Sequence, residues 1–177
     1  MTTKNLYRVD CIIIGAGIFG LHAARILAKK NKKVLILEKS LRAFSGASAI
    51  NQARVHNGYH YPRSYDTAKK VADYYERFTN DFSFAMNDSF EHIYAIASND
   101  SKISPDGFID FCEAVNIPLR KVDSSDYFRD GLSTAAFIVE ECSFDPDRIR
   151  DFLLEEIKGR AQIMYGVGIV NVEKKKF

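Results

Sequence analysis

Six residues, Gly15-Ala16-Gly17-Ile18-Phe19-Gly20, follow directly on the apolar run Cys11-Ile12-Ile13-Ile14. Glycines spaced this way suit a backbone that turns sharply, lets a diphosphate approach closely, and then packs a helix tightly on a strand. A helix starting there points free N–H groups and roughly half a positive charge of macrodipole at an anion. A second apolar run, Val34-Leu35-Ile36-Leu37, ends in Glu38, 18 residues after Gly20. A carboxylate at that distance accepts hydrogen bonds from adenosine ribose hydroxyls and repels a 2′-phosphate, a repulsion that Lys39 beside it tempers. The chemistry indicated is dinucleotide binding. Gly15, Gly17, Ile18, Phe19 and Gly20 would lie at the pyrophosphate, and Glu38 and Lys39 at the ribose.

Such residues need a strand–helix–strand frame. Residues 8–14 are apolar and β-branched, the pattern of a strand buried on both faces of a parallel sheet. From Ile18 to Lys30 the pattern turns helical, with Leu21, Ala24 and Leu27 on one face and His22, Arg25 and Lys29 on another, His22 toward solvent. Residues 34–37 form the second strand. Residues 39–63 read as irregular. Ser64 is placed to cap a helix running to about Met86, with Tyr65, Ala68, Ala72, Tyr75 and Phe82 along one face and an Asp73–Arg77 pair on another. Residues 93–97 and 136–139 read as strands. Ser104-Pro105 opens a helix ending near Val115, and Asp145-Pro146 opens another stopped at Gly159. Residues 163–165 and 169–172 complete the strands.

Bulk properties narrow the class. The 177 residues are 46% hydrophobic and 27% charged with a net charge of +2, ordinary values for a soluble protein of one domain, or one domain and part of another. That balance argues against nucleic acid or an anionic membrane as a partner. Cys11, Cys112 and Cys142 form no ligand-like spacing, so no metal or disulfide framework is expected, and a cytoplasmic setting fits best. Asp10 and the glycine turn speak against a signal peptide, and no run reaches the ~18 apolar residues that cross a bilayer.

NAD and FAD share the glycine fingerprint, so the residues after the second strand must separate them. Here Arg42, Ser45-Gly46-Ala47-Ser48, Asn51 and then Val55-His56-Asn57-Gly58-Tyr59-His60-Tyr61-Pro62-Arg63 follow, where an NAD domain more usually enters its next βα unit. This stretch resembles the D-amino-acid oxidase-like family of FAD-dependent oxidoreductases. His56, Gly58 and Tyr61 are most similar to the branch that includes 2-hydroxyglutarate oxidases. Glu140-Glu141-Cys142-Ser143-Phe144-Asp145-Pro146 resembles the family's acid-then-Asp-Pro segment. Ala53 departs from the pattern, standing where the family often has glycine.

The resemblance implies an α/β fold: a Rossmann-like FAD-binding βαβ domain with part of an inserted α+β substrate domain. Residues 1–86 would be the first part of the FAD domain, 87–142 a partial substrate domain, and 143–177 the return to the FAD domain. Arg42, Ser45, Gly46, Ala47 and Ser48 would lie along the diphosphate and ribityl chain, and Asn51 through His56 would lead to the flavin ring. His56 is the candidate catalytic group, its ordinary pKa lying near neutrality. Tyr61 and Arg63 are candidates for substrate contact, Arg63 as a carboxylate clamp. Arg54 suits either a cofactor or a partner carboxylate. Tyr59 and His60 should face opposite ways, and one of Tyr59 and Tyr61 should fill the core.

The activity implied is oxidation of a small amine, amino acid or 2-hydroxy acid by hydride transfer to flavin. Family members run to about twice this length and close the flavin site with a later Gly-rich segment, so the chain is expected to be an N-terminal portion. Three alternatives stay open: a non-catalytic nucleotide-binding module, half of a split flavoenzyme whose site a second polypeptide completes, and an NAD-binding domain.

Overall fold

A computed structural model describes residues 7–50 and 53–173. In chain order the first elements are β1 (Cys11–Ile14), α1 (Ile18–Lys29), β2 (Val34–Glu38), α2 (Ala47–Ile50), β3 (Arg54–Val55) and α3 (Tyr65–Asp81). Next come β4 (Met86–Asn87), β5 (His92–Ala97), α4 (Pro105–Val115), β6 (Leu119–Val122) and β7 (Ser133–Val139). The last are β8 (Cys142–Phe144), α5 (Pro146–Ile157) and β9 (Ala161–Tyr165). These form two compact units: residues up to Ala53 with those from Pro146 onward, and Arg54–Asp145. By packing, therefore, residues 54–86 group with 87–145 rather than with the segment before them, because α3 lies against α4. Among the described residues no helix is long and apolar enough to cross a membrane.

The first unit is a parallel sheet in the order β1-β2-β9, with Ile13 beside Ile36 and Ile36 beside Ile163. Apolar residues recur at helical spacing on both helices: Leu21, Ala24 and Ala28 on α1, and Ile149, Leu153 and Ile157 on α5, all buried. Ala28, not Leu27, continues the inward stripe. Arg25 is half-buried and joins Lys29 on Glu156 of α5, at 3.0 and 2.9 Å, while its guanidinium lies over Phe152. The helix face read as polar is therefore a helix–helix contact, and His22 on it is half-buried rather than turned to solvent.

β1 departs from the expectation of a strand buried on both sides. Ile12 and Ile14 are 57% and 71% exposed, while β2 between its two neighbours is almost wholly buried. β1 sits at the sheet edge, and its inward residue Ile13 meets α1. Alternation then leaves Ile12 and Ile14 on the opposite face. Residues 169–172 form no strand: Val170 is fully exposed, and an unpaired extended segment has no ladder to hold it.

The second unit has two antiparallel sheets, β3-β8-β4 and β5-β7-β6, with α3 and α4. Tyr59, Phe108, Cys112, Val115 and Phe137 build its core. Ser104 caps α4 by accepting from the Gly107 amide, and Asn116 ends it in a left-handed conformation. α3 stops at Asp81, short of Met86, because residues 83–85 tighten into a 3₁₀ turn and Met86 pairs with Phe144. Ser64 caps no amide; its hydroxyl bonds that of Thr67. Asp73 pairs with Lys69 instead of Arg77, which reaches toward Asp81 at 4.0 Å. The short strands β3, β4, β6 and β8 carry too little alternation to be read from sequence.

Candidate functional site

The glycine turn leaves β1 at Gly15 with φ +95°, a conformation that L side chains rarely adopt. Gly17 is the N-cap of α1 and offers no side chain to its free amides. The first amides of a helix need partners from outside it. Ile18 N–H finds one in Ser48 Oγ at 3.0 Å. The amides of Phe19 and Gly20 have none among the described residues. Gly20 packs so closely that a Cβ there would stand 2.0 Å from the Gly15 carbonyl oxygen. Gly15, by contrast, has open space where its Cβ would be.

Glu38, at the carboxyl end of β2, is 8% exposed. Its Oε2 accepts from the Ala16 amide at 2.6 Å and its Oε1 from the Ser40 amide at 2.8 Å. The Ala16 bond above all holds this carboxyl below the usual range, against burial, which pushes it up; the Ser40 amide and hydroxyl and the charge of Lys39 assist. An ionised carboxylate has about four lone-pair sites, more than the donors of Ala16 and Ser40 occupy, so acceptor capacity remains for a ribose hydroxyl. Beside it, Ile14, Gly15, Leu37, Glu38, Lys39 and residues 167–169 line a cleft of about 420 Å³. Open α/β sheets bind ligands at these carboxyl ends.

The loop after β2 folds back onto the turn. Phe44 N–H donates to Ala16 O at 3.0 Å, with Phe44 itself at φ +58°, and Ser45 Oγ donates to Arg42 O at 2.7 Å. Of the residues expected at a dinucleotide, the structure brings Gly15, Gly17, Ile18, Glu38 and Ser48 together. Phe19 projects outward at 89% exposure, and Lys39, Arg42, Ser45, Gly46 and Ala47 are exposed around the turn. Asn51 lies outside the described residues. Ala53 is at φ +52°, the conformation for which glycine is the natural residue. An uncapped helix tip with free amides, a close-packed glycine and a carboxylate with remaining acceptor capacity fit an ADP-bearing cofactor.

In the second unit His56 belongs to a polar cluster around Glu141, a residue given no site role from sequence. The Glu141 side chain is fully buried and accepts from Arg54 Nη2 at 2.6 Å, the Asn57 amide at 3.2 Å and His56 Nδ1 at 3.3 Å. Tyr94 donates to both carboxylate oxygens at 3.4 Å, and its ring lies under the Arg54 guanidinium. Burial foremost, then the Glu141 charge, pushes the Tyr94 phenol up to about 12, so it remains a donor. Arg54 thus takes the partner-carboxylate role. Arg54 Nε and His92 Nε2, both buried, have no hydrogen-bond partner among the described residues. Two signals were available: the acid-then-Asp-Pro resemblance of this segment, and Glu140-Glu141 directly behind an apolar strand, where one acid of an adjacent pair turns inward.

Tyr59 is core: it is 1% exposed, and its hydroxyl donates to Pro118 O. His60 is exposed, but through a turn in which Tyr61 N–H donates to Gly58 O at 3.0 Å rather than through strand alternation; Tyr61 packs half-buried on the core and Arg63 is exposed.

The family described as FAD dependent oxidoreductase matches residues 10–176 of the chain. The FAD-dependent monooxygenase kojA of Aspergillus flavus is 30% identical over 156 residues, 85% of this chain and 36% of that protein. The mitochondrial L-2-hydroxyglutarate dehydrogenase of Arabidopsis thaliana is 42% identical over 55 residues, 31% of this chain and 11% of that protein. Among solved structures, FAD-bound L-alpha-glycerophosphate oxidase of Mycoplasma pneumoniae superposes with a TM-score of 0.72 at 16% identity, covering 96% of this chain and 48% of that one. Glycine oxidase of Geobacillus kaustophilus gives 0.70 at 14% identity, covering 91% and 47%. At such identities the likeness is one of fold. The chain spans 36% of the kojA relative and 48% of the glycerophosphate oxidase.

Proposed function

The chain belongs to the family of FAD dependent oxidoreductases, and from that premise we propose that it binds FAD and serves the oxidation of a small amine, amino acid or 2-hydroxy acid. The observation that carries the reading is the joined unit of Gly20 packed on Gly15, Glu38 bonded to Ala16, and the cleft beside them. Gly15, Gly17 and the amides of Phe19 and Gly20 would hold the diphosphate, Ser48 would contact it from the side, and Glu38 would take the ribose hydroxyls. Bound flavin supplies a hydride acceptor. His56 is proposed to take the substrate proton, with Tyr61 and Arg63 contacting the substrate, Arg63 through a carboxylate where one is present. The three free cysteines support a reducing, cytoplasmic setting.

The monooxygenase activity named for the kojA relative supports a second reading, oxygen insertion into the substrate. Consumption of labelled oxygen with transfer of the label to product separates it from plain oxidation. Half of a two-chain enzyme differs in needing a second polypeptide for turnover, and a non-catalytic module in binding the dinucleotide without turnover. The test is expression of the chain followed by absorbance, mass and thermal-shift measurements with FAD and NAD. Flavin absorbance and stabilisation by FAD but not NAD are expected. A colourless protein that neither dinucleotide stabilises overturns the proposal.

A further inference from the structure

The Glu141 cluster has a division of labour that the glycine-turn site does not explain. One oxygen, Oε2, takes the charged Arg54 Nη2 at 2.6 Å. The other, Oε1, takes the Asn57 amide at 3.2 Å and faces His56 Nδ1 at 3.3 Å. A carboxylate is acceptor-only, so an imidazole nitrogen turned toward it must carry the proton. In a neutral imidazole the other nitrogen then holds the free lone pair. The Glu141 side chain is fully buried and is held by three residues besides His56, namely Arg54, Asn57 and Tyr94, whereas the His56 side chain is 34% exposed. The anchored partner therefore sets the state of the accessible one.

We propose that Glu141 is a positioning residue for His56: it fixes the Nδ1–H tautomer and leaves Nε2 as the accessible base. This rests on the reading of His56 as the proton acceptor, and it supplies what that reading lacks, a reason for the base to be in the competent form. Arg54, with Tyr94 stacked beneath it, holds the carboxylate in place through the oxygen that His56 does not use. Free imidazole side chains favour the opposite tautomer, so the arrangement is not the default.

A glutamine at this position sharpens the argument. Arg54 is the charged and nearer donor, at 2.6 Å against 3.2 Å for the Asn57 amide, so it draws the carboxamide oxygen to itself and turns the NH2 toward His56. Nδ1 must then accept, and the proton moves to Nε2. Removing the demand of Arg54 as well frees the carboxamide to turn its oxygen back toward His56 and the Asn57 amide.

The experiment is nitrogen NMR on the whole chain labelled at histidine, at a pH well above the ordinary histidine range. Loss of one signal in His56→Gln identifies His56 among the four histidines. The expected result is an Nδ1–H majority in the native chain, an Nε2–H majority in Glu141→Gln, and return of Nδ1–H in Glu141→Gln/Arg54→Met. An Nε2–H majority in the native chain overturns the proposal outright, whether or not the variants fold. An unchanged tautomer in a folded Glu141→Gln also overturns it, as does failure of a folded double variant to restore Nδ1–H. The measurement needs no flavin, so a chain that fails to bind FAD while showing this pattern refutes the functional reading and leaves the Glu141 inference standing.

Discussion

Replacing Gly20 by alanine sets two physical effects of opposite sign against each other. Gly20 lies in the first turn of α1, where helix propensity alone favours alanine by about 1 kcal/mol. Sterics oppose it, because the new Cβ would stand 2.0 Å from the Gly15 carbonyl oxygen, a backbone atom that no rotamer change can move. Relief requires the turn and α1 to part by about 1 Å, since heavy-atom contacts shorter than hydrogen bonds of roughly 3 Å are not sustained. That movement strains the Gly15 N–H bond to Leu37 O (2.8 Å) and the Ala16 N–H bond to Glu38 (2.6 Å). A neutral hydrogen bond contributes about 1 kcal/mol and one to a charged group about 2, so with lost packing the steric cost is roughly 3–5 kcal/mol. The net expectation is destabilisation by about 2–4 kcal/mol, or a drop in Tm of about 5–15 °C for a chain of this size. Urea unfolding of the native chain, Gly20→Ala and Gly46→Ala measures it. Nothing lies within 4 Å of the place a methyl group on Gly46 would take, and its substitution should stay within about 0.5 kcal/mol. A Gly20→Ala chain as stable as the native one, or more so, refutes the close-packing account of this motif.

Two further outcomes follow from the same turn. The Glu38 carboxyl is held low in the folded state, chiefly by the Ala16 amide, so its contribution is full above the ordinary glutamate range and fades as pH falls through the folded value. Glu38→Gln must face an NH2 toward either the Ala16 or the Ser40 amide, costing about 1–3 kcal/mol at neutral pH. Urea midpoints should show that gap closing on acidification, and a gap independent of pH contradicts the assignment. Ala53 sits at φ +52°, so Ala53→Gly relieves about 1–2 kcal/mol of backbone strain while giving back about 0.5–1 in chain entropy. A net gain of roughly 0.5–1 kcal/mol in thermal or urea unfolding is expected, and a loss excludes strain at this residue.

The sequence by itself determined the strand–turn–helix–strand unit, because its signals are local. The glycines at 15, 17 and 20, the β-branched run before them and the apolar run ending in Glu38 each act over a turn or a strand length. The same holds for the start of α4, where the Ser104 cap and Pro105 are adjacent in the chain. Only the tertiary structure decided that β9 pairs with β2 across more than a hundred intervening residues, leaving Ile12 and Ile14 exposed on an edge strand. It also decided that Glu141 reaches back 85 residues to His56, and that Tyr59 rather than Tyr61 fills the core. Propensity and periodicity report what a segment prefers on its own. Which face is covered, which strand is an edge and which acid meets which base depend on the elements that arrive from elsewhere in the chain.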